Sequence, residues 1–259
     1  MGKILRLTCT LIALLALAPR PGASATCKAV KWITYQGTQL WKVADSGAYF
    51  YVVHSMAIDA DGAPNAYHPD DTGIDALANA GFPNGSWKSI LVTDPHDSSR
   101  PYVQTEGEFA GYFVSQTSLQ DHSLPVTDVH RYVDSRKVPY IVFPGGFYAL
   151  PGTGGFGDAG VALNLGDGKE SPAIVADAGG QGHPLHEVSI RLAENLGGVN
   201  VNPRNGAGAP HGDFVYVIAP KSKSKPPWPV CAEELQKRAQ VALSSVGGWD
   251  AVRACLANP

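Results

Sequence analysis

The sequence predicts a mainly β protein: a single domain, barrel-like or a sandwich, with short helices and a C-terminal helical pair. Three observations carry this. Charged residues make up only 17% of the 259-residue chain, while Gly and Pro number 29 and 20, the balance of a turn-rich β protein rather than a helical one. Its apolar runs are short, rich in β-branched and aromatic residues, and closed by Gly or Pro. Extended 3.6-residue periodicity is confined to a few segments, most clearly after residue 231.

The elements follow in order. Strands are expected at residues 48–53, 89–93, 112–115, 139–143, 160–164, 173–176 and 214–218. Residues 75–80 predict a helix that Gly81 ends as a C-cap. A second helix is expected to open near Glu187, with Val188, Leu192 and Leu196 on one face and Gly197 as its stop. The Lys- and Pro-rich stretch 221–230 predicts a linker, and residues 232–244 and 249–256 predict the helical pair. The domain plan is therefore a main body at 26–220, a linker at 221–230 and a small helical segment at 231–259.

Lys3 and Arg6 precede an apolar run from Leu7 to Ala18, and Ala23-Ser24-Ala25 has the A-x-A form of a cleavage site. Residues 1–25 are thus expected to be a signal peptide and the protein to be secreted, as a monomer with no membrane partner. Net charge is −3, and removal of the signal takes away Lys3, Arg6 and Arg20 but no acid. That balance disfavours a nucleic-acid partner and favours a positively charged one. Cys27, Cys231 and Cys255 then remain, which allows three single bridges. Cys231–Cys255 is the expected pair, because both lie in one short segment.

The most informative stretch runs from Ala173 to Ile190. An apolar strand ends in Asp177, a turn with Gly179, Gly180 and Gly182 follows, and Glu187 comes after it. Strand ends deliver side chains to the sheet's rim, where loops build sites. Two carboxyl groups so placed suit glycosidic cleavage, in which one protonates the leaving oxygen and the other activates water or attacks the sugar carbon. The same residues also suit a structural role, with Asp177 satisfying turn amides and Glu187 complementing a helix N-terminus.

The stretches AIVADAGG and HEVSIRLAENLGG, with AIDADGAPNAYHPDDTGIDALANAG (57–81), GYFVSQTSL (111–119), RYVDSRKVPYIVFPGG (131–146) and FGDAGVALN (156–164), resemble glycoside hydrolase family 75, the endo-chitosanases. The resemblance spans roughly residues 45–220. It implies endo-hydrolysis of β-1,4 bonds in chitosan with inversion, no cofactor, and an Asp and a Glu at the positions of Asp177 and Glu187. Glu187 is provisionally the general acid and Asp177 the general base, although a helix N-terminus would favour ionised Glu187. His186 departs from the family's usual Gly. Asp59, Asp61, Tyr67, Gly179 and His186 are expected to contact substrate, with a structural turn the competing reading for the two aspartates. The strand ending in Asp-x-Gly is similar to double-psi barrels, which sets the barrel expectation.

Other signals are weaker. His183, His186 and Glu187 match neither HExxH nor HxxEH, so no metal is expected. The GxGxxG letters at 152–157 lack a βαβ context. Trp32, Trp41, Trp87, Tyr67 and Tyr112 could stack on sugar rings, although core packing is the commoner fate of such aromatics. Two alternatives stay open: a non-catalytic polysaccharide-binding protein, and a lytic-transglycosylase-like enzyme that cuts peptidoglycan with a single acid.

Overall fold

A computed structural model describes residues 26–257. The expected signal peptide lies outside the described residues. Eleven strands form among the described residues: β1 (Val30–Tyr35), β2 (Thr38–Lys42), β3 (Tyr49–Val53), β4 (Ala57–Asp59), β5 (Thr93–Asp94), β6 (Asp97–Pro101), β7 (Tyr140–Pro144), β8 (Ala159–Asn164), β9 (Glu170–Gly179), β10 (Glu187–Ser189) and β11 (Phe214–Ile218). The helices are α1 (Gly145–Tyr148), α2 (Ile190–Asn195), α3 (Ala232–Ser245) and α4 (Gly248–Ala257).

Nine strands make one mixed sheet in the order β1-β2-β3-β11-β8-β9-β7-β10-β4, and β5 and β6 pair separately. The β7–β9 and β10–β4 pairs are parallel and the other pairs antiparallel. The expected barrel is corrected here: among the described residues the sheet is open, because its outermost strands, β1 and β4, do not pair with each other. The strand β4 is only three residues long, and β10 is its single partner.

The sheet is buried on both faces. One carries Tyr51, Val175, Val188, Ile141, Phe143, Phe214 and Tyr216 in the largest core cluster. On the other, Phe50, Val161, Val215 and Val217 pack against Ala239 of α3, Val246 that follows it and Val252 of α4, while Tyr140, Val142, Ile174 and Ala176 meet Leu119, Val133, Trp228 and Leu235. This explains strands that are apolar at every position, as β11 is.

Several expected elements take another form. Residues 75–80 form turns, because Asp75 draws the Ala76 N–H and the Asn79 amide to its own carboxylate (2.7 Å each) and Asp71 accepts from Leu77 N (2.9 Å). Such side-chain bonds compete with helical ones. Around 89–92 and 112–115 isolated bridges such as Leu91↔Ser115 and Val103↔Phe113 take the place of strands, and Thr93 opens the two-residue β5. The helix expected to open near Glu187 begins later, at Ile190, capped by Ser189 Oγ accepting from Leu192 N (3.1 Å). The stretch 221–230 lies against the body: Asp158 accepts from Lys221 N and Lys223 N, and Trp228 is buried.

The disulfide is Cys27–Cys255, not Cys231–Cys255. Cys231 is free and exposed at the N-cap of α3. Sequence proximity misled, because packing of α4 against the sheet beside Trp41 and Phe50 brings Cys255 to Cys27, which precedes β1. No helix of the described residues is long and apolar enough to cross a membrane.

Candidate active site

The site is built on β9, β7, β10 and β4, which lie side by side. Along β7–β9, Ile141 pairs with Val175 but Val142 pairs with Asp177, so β9 carries one extra residue at this point. A bulge of this kind re-aims the following side chain. On the other side of β7, Val188 opposes Ile141, and the antiparallel register carries Glu187 to the level of Val142. Asp177 and Glu187 thus flank one strand, with Cα atoms separated by about two strand spacings, ~9–10 Å. Glu187 also reaches back over the end of β9: a Cβ at Gly179 would stand 2.9 Å from its Oε2 and 3.3 Å from Val142 Cγ1.

The two carboxyl groups have unequal surroundings. Asp177 Oδ1 accepts from Ser118 N (2.9 Å), Ser118 Oγ (2.8 Å) and Ala178 N (2.7 Å). Burial pushes its pKa up to about 6, and those three donors hold it from rising further. Glu187 receives no hydrogen bond from a described residue. Burial, then the negative charges of Asp177 and Asp75, push its pKa up to about 7.

Asp59 and Asp61 sit beside this pair. Oxygen atoms of Asp59, Asp61 and Asp177 lie within 4.8 Å of one another, and all three residues are buried. Asp59 accepts from Tyr140 Oη (3.0 Å) and from the Asp61 N–H (2.8 Å). Asp61 Oδ1 accepts from Tyr67 Oη (2.9 Å) and Ser115 Oγ (3.0 Å). Burial raises both aspartates well above the carboxylate range, and neighbouring carboxylates add to the effect. An all-oxygen donor set of this kind suits shared protons or a hard cation, and two tyrosine hydroxyls already occupy part of it.

The structure therefore brings Asp177, Glu187, Gly179, Asp59, Asp61 and Tyr67 into one region. The last three, expected as surface contacts to substrate, are at most 8% exposed and pack next to the carboxylate pair. His186 is set apart: its Nδ1 bonds Ser55 Oγ at 3.0 Å, and among the described residues no hydrogen bond joins it to Glu187. Among the expected stacking aromatics, Trp41, Trp87 and Tyr67 are buried, Lys42 caps Trp32 at 3.8 Å, and Tyr112 meets His68 edge-on.

Sequence reasoning missed Tyr140, Ser118 and Ser115. Each lies in a stretch that carries the family resemblance, but nothing local marks it as a partner of a carboxylate 50 or more residues away. No protein-family model matches this chain, and no curated protein matches it. The fold and site define a mainly β protein with two unequal carboxyl groups, Asp177 buried and Glu187 half-buried, at the ends of neighbouring strands.

Proposed function

We propose that the protein is a secreted endo-chitosanase that hydrolyses β-1,4 bonds between glucosamine units by an inverting acid/base reaction without a cofactor. The observation that carries this reading is the inequality of Asp177 and Glu187 on either side of Val142. Glu187, with a pKa near 7 and no donor to its carboxylate, holds its proton and donates it to the glycosidic oxygen. Asp177, held by three donors with a pKa near 6, is the group that ionises first; it takes a proton from the water attacking the anomeric carbon. The helix-terminus objection to Glu187 as acid falls away, because Glu187 lies on β10, outside the helix that starts at Ile190.

The substrate assignment draws on the family resemblance and on charge. Asp59, Asp61, Asp75, Asp177 and Glu187 form an acidic concentration, and none of them makes an ion pair within 4.0 Å among the described residues. Carboxyl groups with no cationic partner can give up their protons to pair with the ammonium groups of an amino sugar, which restores their usual acidity. Secretion is supported by the signal-like N-terminus and by a disulfide of the kind that persists in oxidising compartments.

The test is reducing-end release from soluble, highly deacetylated chitosan, with product anomers followed by proton NMR. Release of α-anomers that vanishes in Asp177→Asn is the expected result. Binding without release would favour a non-catalytic polysaccharide-binding protein, and anhydro-sugar products would favour a transglycosylase.

A further inference from the structure

Tyr67 is buried between two carboxyl groups that take no direct part in the proposed reaction. Its Oη stands 2.9 Å from Asp61 Oδ1 and 3.3 Å from Asp75 Oδ2. A phenol hydroxyl has one hydrogen to donate, whereas its oxygen also accepts. Both contacts are therefore hydrogen bonds only when one carboxyl group is protonated and the other ionised. Tyr67 then donates to the ionised group and accepts from the protonated one. With both ionised, one contact would set two acceptors face to face in a buried place, where an unmade bond is costly. The remaining bonds fit this count: Asp61 Oδ1 also accepts from Ser115 Oγ (3.0 Å), and Asp75 Oδ1 accepts from Ala76 N and Asn79 Nδ2 (2.7 Å each). Among the described residues Tyr67 is the single partner of Asp75 Oδ2. The shorter contact falls on Asp61, which marks it as the favoured seat of the charge.

The two ends of this chain face different members of the reacting pair. Oxygen atoms of Asp61 and Asp177 lie within 4.8 Å of each other, whereas the charge of Asp75 acts on Glu187. Asp59 and Glu187 also oppose charge on Asp61, and Tyr140 Oη bonds its backbone carbonyl (3.0 Å). At the other end, Arg204 favours ionised Asp75. We propose that Asp61 and Asp75 share one proton through Tyr67, which makes Tyr67 a positioning residue: it sets whether Asp177 or Glu187 feels the remaining negative charge. In the shift, the Asp75 O–H bond breaks as its proton moves to Tyr67 Oη. The Tyr67 O–H bond breaks in turn as that hydrogen moves to Asp61 Oδ1, and one negative charge passes from Asp61 to Asp75. Charge on Asp61 opposes ionisation of Asp177; charge on Asp75 frees Asp177 to ionise and holds the proton on Glu187. The two acids titrate as a unit. The positioning role rests on the acid/base reading of Asp177 and Glu187, and the shared proton does not.

The test compares wild type with Tyr67→Phe and Asp75→Asn. Tyr67→Phe removes a donor from Asp61, which is crowded by like charge, while Asp75 keeps two N–H donors and Arg204. The proton should settle on Asp61 and the charge on Asp75. The acidic limb of kcat is then expected to move down and the basic limb up, each by about half a pH unit. Asp75→Asn can keep every bond of the chain, with its amide donating to Tyr67, and fixes the charge on Asp61. Its limbs are expected to move toward each other. Limbs that stay in place, or that both move down as simple loss of a carboxylate would give, would overturn the positioning role. Infrared spectra of the free proteins at pH 7 need no substrate. The difference between wild type and Asp75→Asn is expected to contain the C=O band of a neutral carboxylic acid, and its absence would overturn the shared proton. That band without any chitosan turnover would overturn the proposed reaction and the positioning role and leave the shared proton standing.

Discussion

Gly179 and Glu187 occupy the same space from two strands: a Cβ on Gly179 would come within 2.9 Å of Glu187 Oε2. Gly179 is absent from the left-handed region of backbone space, so what it supplies here is room for the carboxylate. Gly179→Ala should therefore displace Glu187 with little change in fold stability. Turnover is expected to fall by about 10–100-fold, the scale of a small misplacement of a reacting group, with a melting temperature near wild type. Steady-state kinetics beside thermal denaturation would check both halves, and unchanged turnover would remove Glu187 from the reaction.

Turnover should show a bell-shaped dependence on pH. The base must be ionised, which places the acidic limb near 6, and the acid must hold its proton, which places the basic limb near 7. Ser118→Ala removes one of the donors that stabilise ionised Asp177, so its acidic limb should move to higher pH while its basic limb stays in place. A pH–rate profile of kcat for the two proteins reads this directly.

Stability should fall as pH rises across the same region. Asp59, Asp61, Asp177 and Glu187 all have folded pKa values above their unfolded ones. The folded chain therefore keeps protons that the unfolded chain releases above ~4. The stability is fully present below that point and is lost as pH climbs toward the folded values near 6 and 7. Asp94, Asp97, Asp121 and Asp167 are shifted the other way and act at lower pH. Asp61→Asn keeps an oxygen to accept from Tyr67 and Ser115 and removes one charge from the cluster. It should raise the melting temperature at pH 7.5 by a few degrees, on the order of 1 kcal/mol, and change it little at pH 4.5.

The cysteines should behave very differently from one another. Cys27→Ser opens a link between residues 228 apart and is expected to cost about 2–5 kcal/mol. Cys231→Ser alters an exposed free thiol that makes no capping bond, and denaturant titration should place it within about 0.5 kcal/mol of wild type.

His186→Gly, which restores the residue usual in the resembling family, should leave kcat within about threefold. The ring is engaged by Ser55 rather than by Glu187, and loss of a hydrogen bond at a partly exposed site costs on the order of 1 kcal/mol. A large rise in kcat would show instead that the imidazole obstructs the acid.

What was legible in the sequence was local. The strands at 49–53, 140–144, 159–164 and 214–218 and the helices after residue 231 follow from short apolar runs and 3.6-residue periodicity. Asp177 at a strand end was visible for the same reason. The bulge that aims it was not, because register belongs to a pair of strands and β7 and β9 lie some 30 residues apart in sequence. Glu187 looked helical because Val188, Leu192 and Leu196 fit one face, whereas pairing with β4 and β7 draws residues 187–189 into the sheet. Asp59 and Asp61 looked like surface turn residues, and donors distant in sequence, the hydroxyls of Tyr140, Tyr67 and Ser115, make their burial tolerable.

The sheet order also governs when the protein can exist. The early strand β3 has β11 as its neighbour, and the cysteine before β1 bonds one in the last helix. A growing chain therefore cannot complete its central pairing before residues 214–218 have been synthesised, nor lock its ends before Cys255 has. Contacts between such distant segments form slowly. A polypeptide with this wiring stays unclosed for most of its synthesis, the condition in which an unfolded chain can be threaded through a narrow export channel.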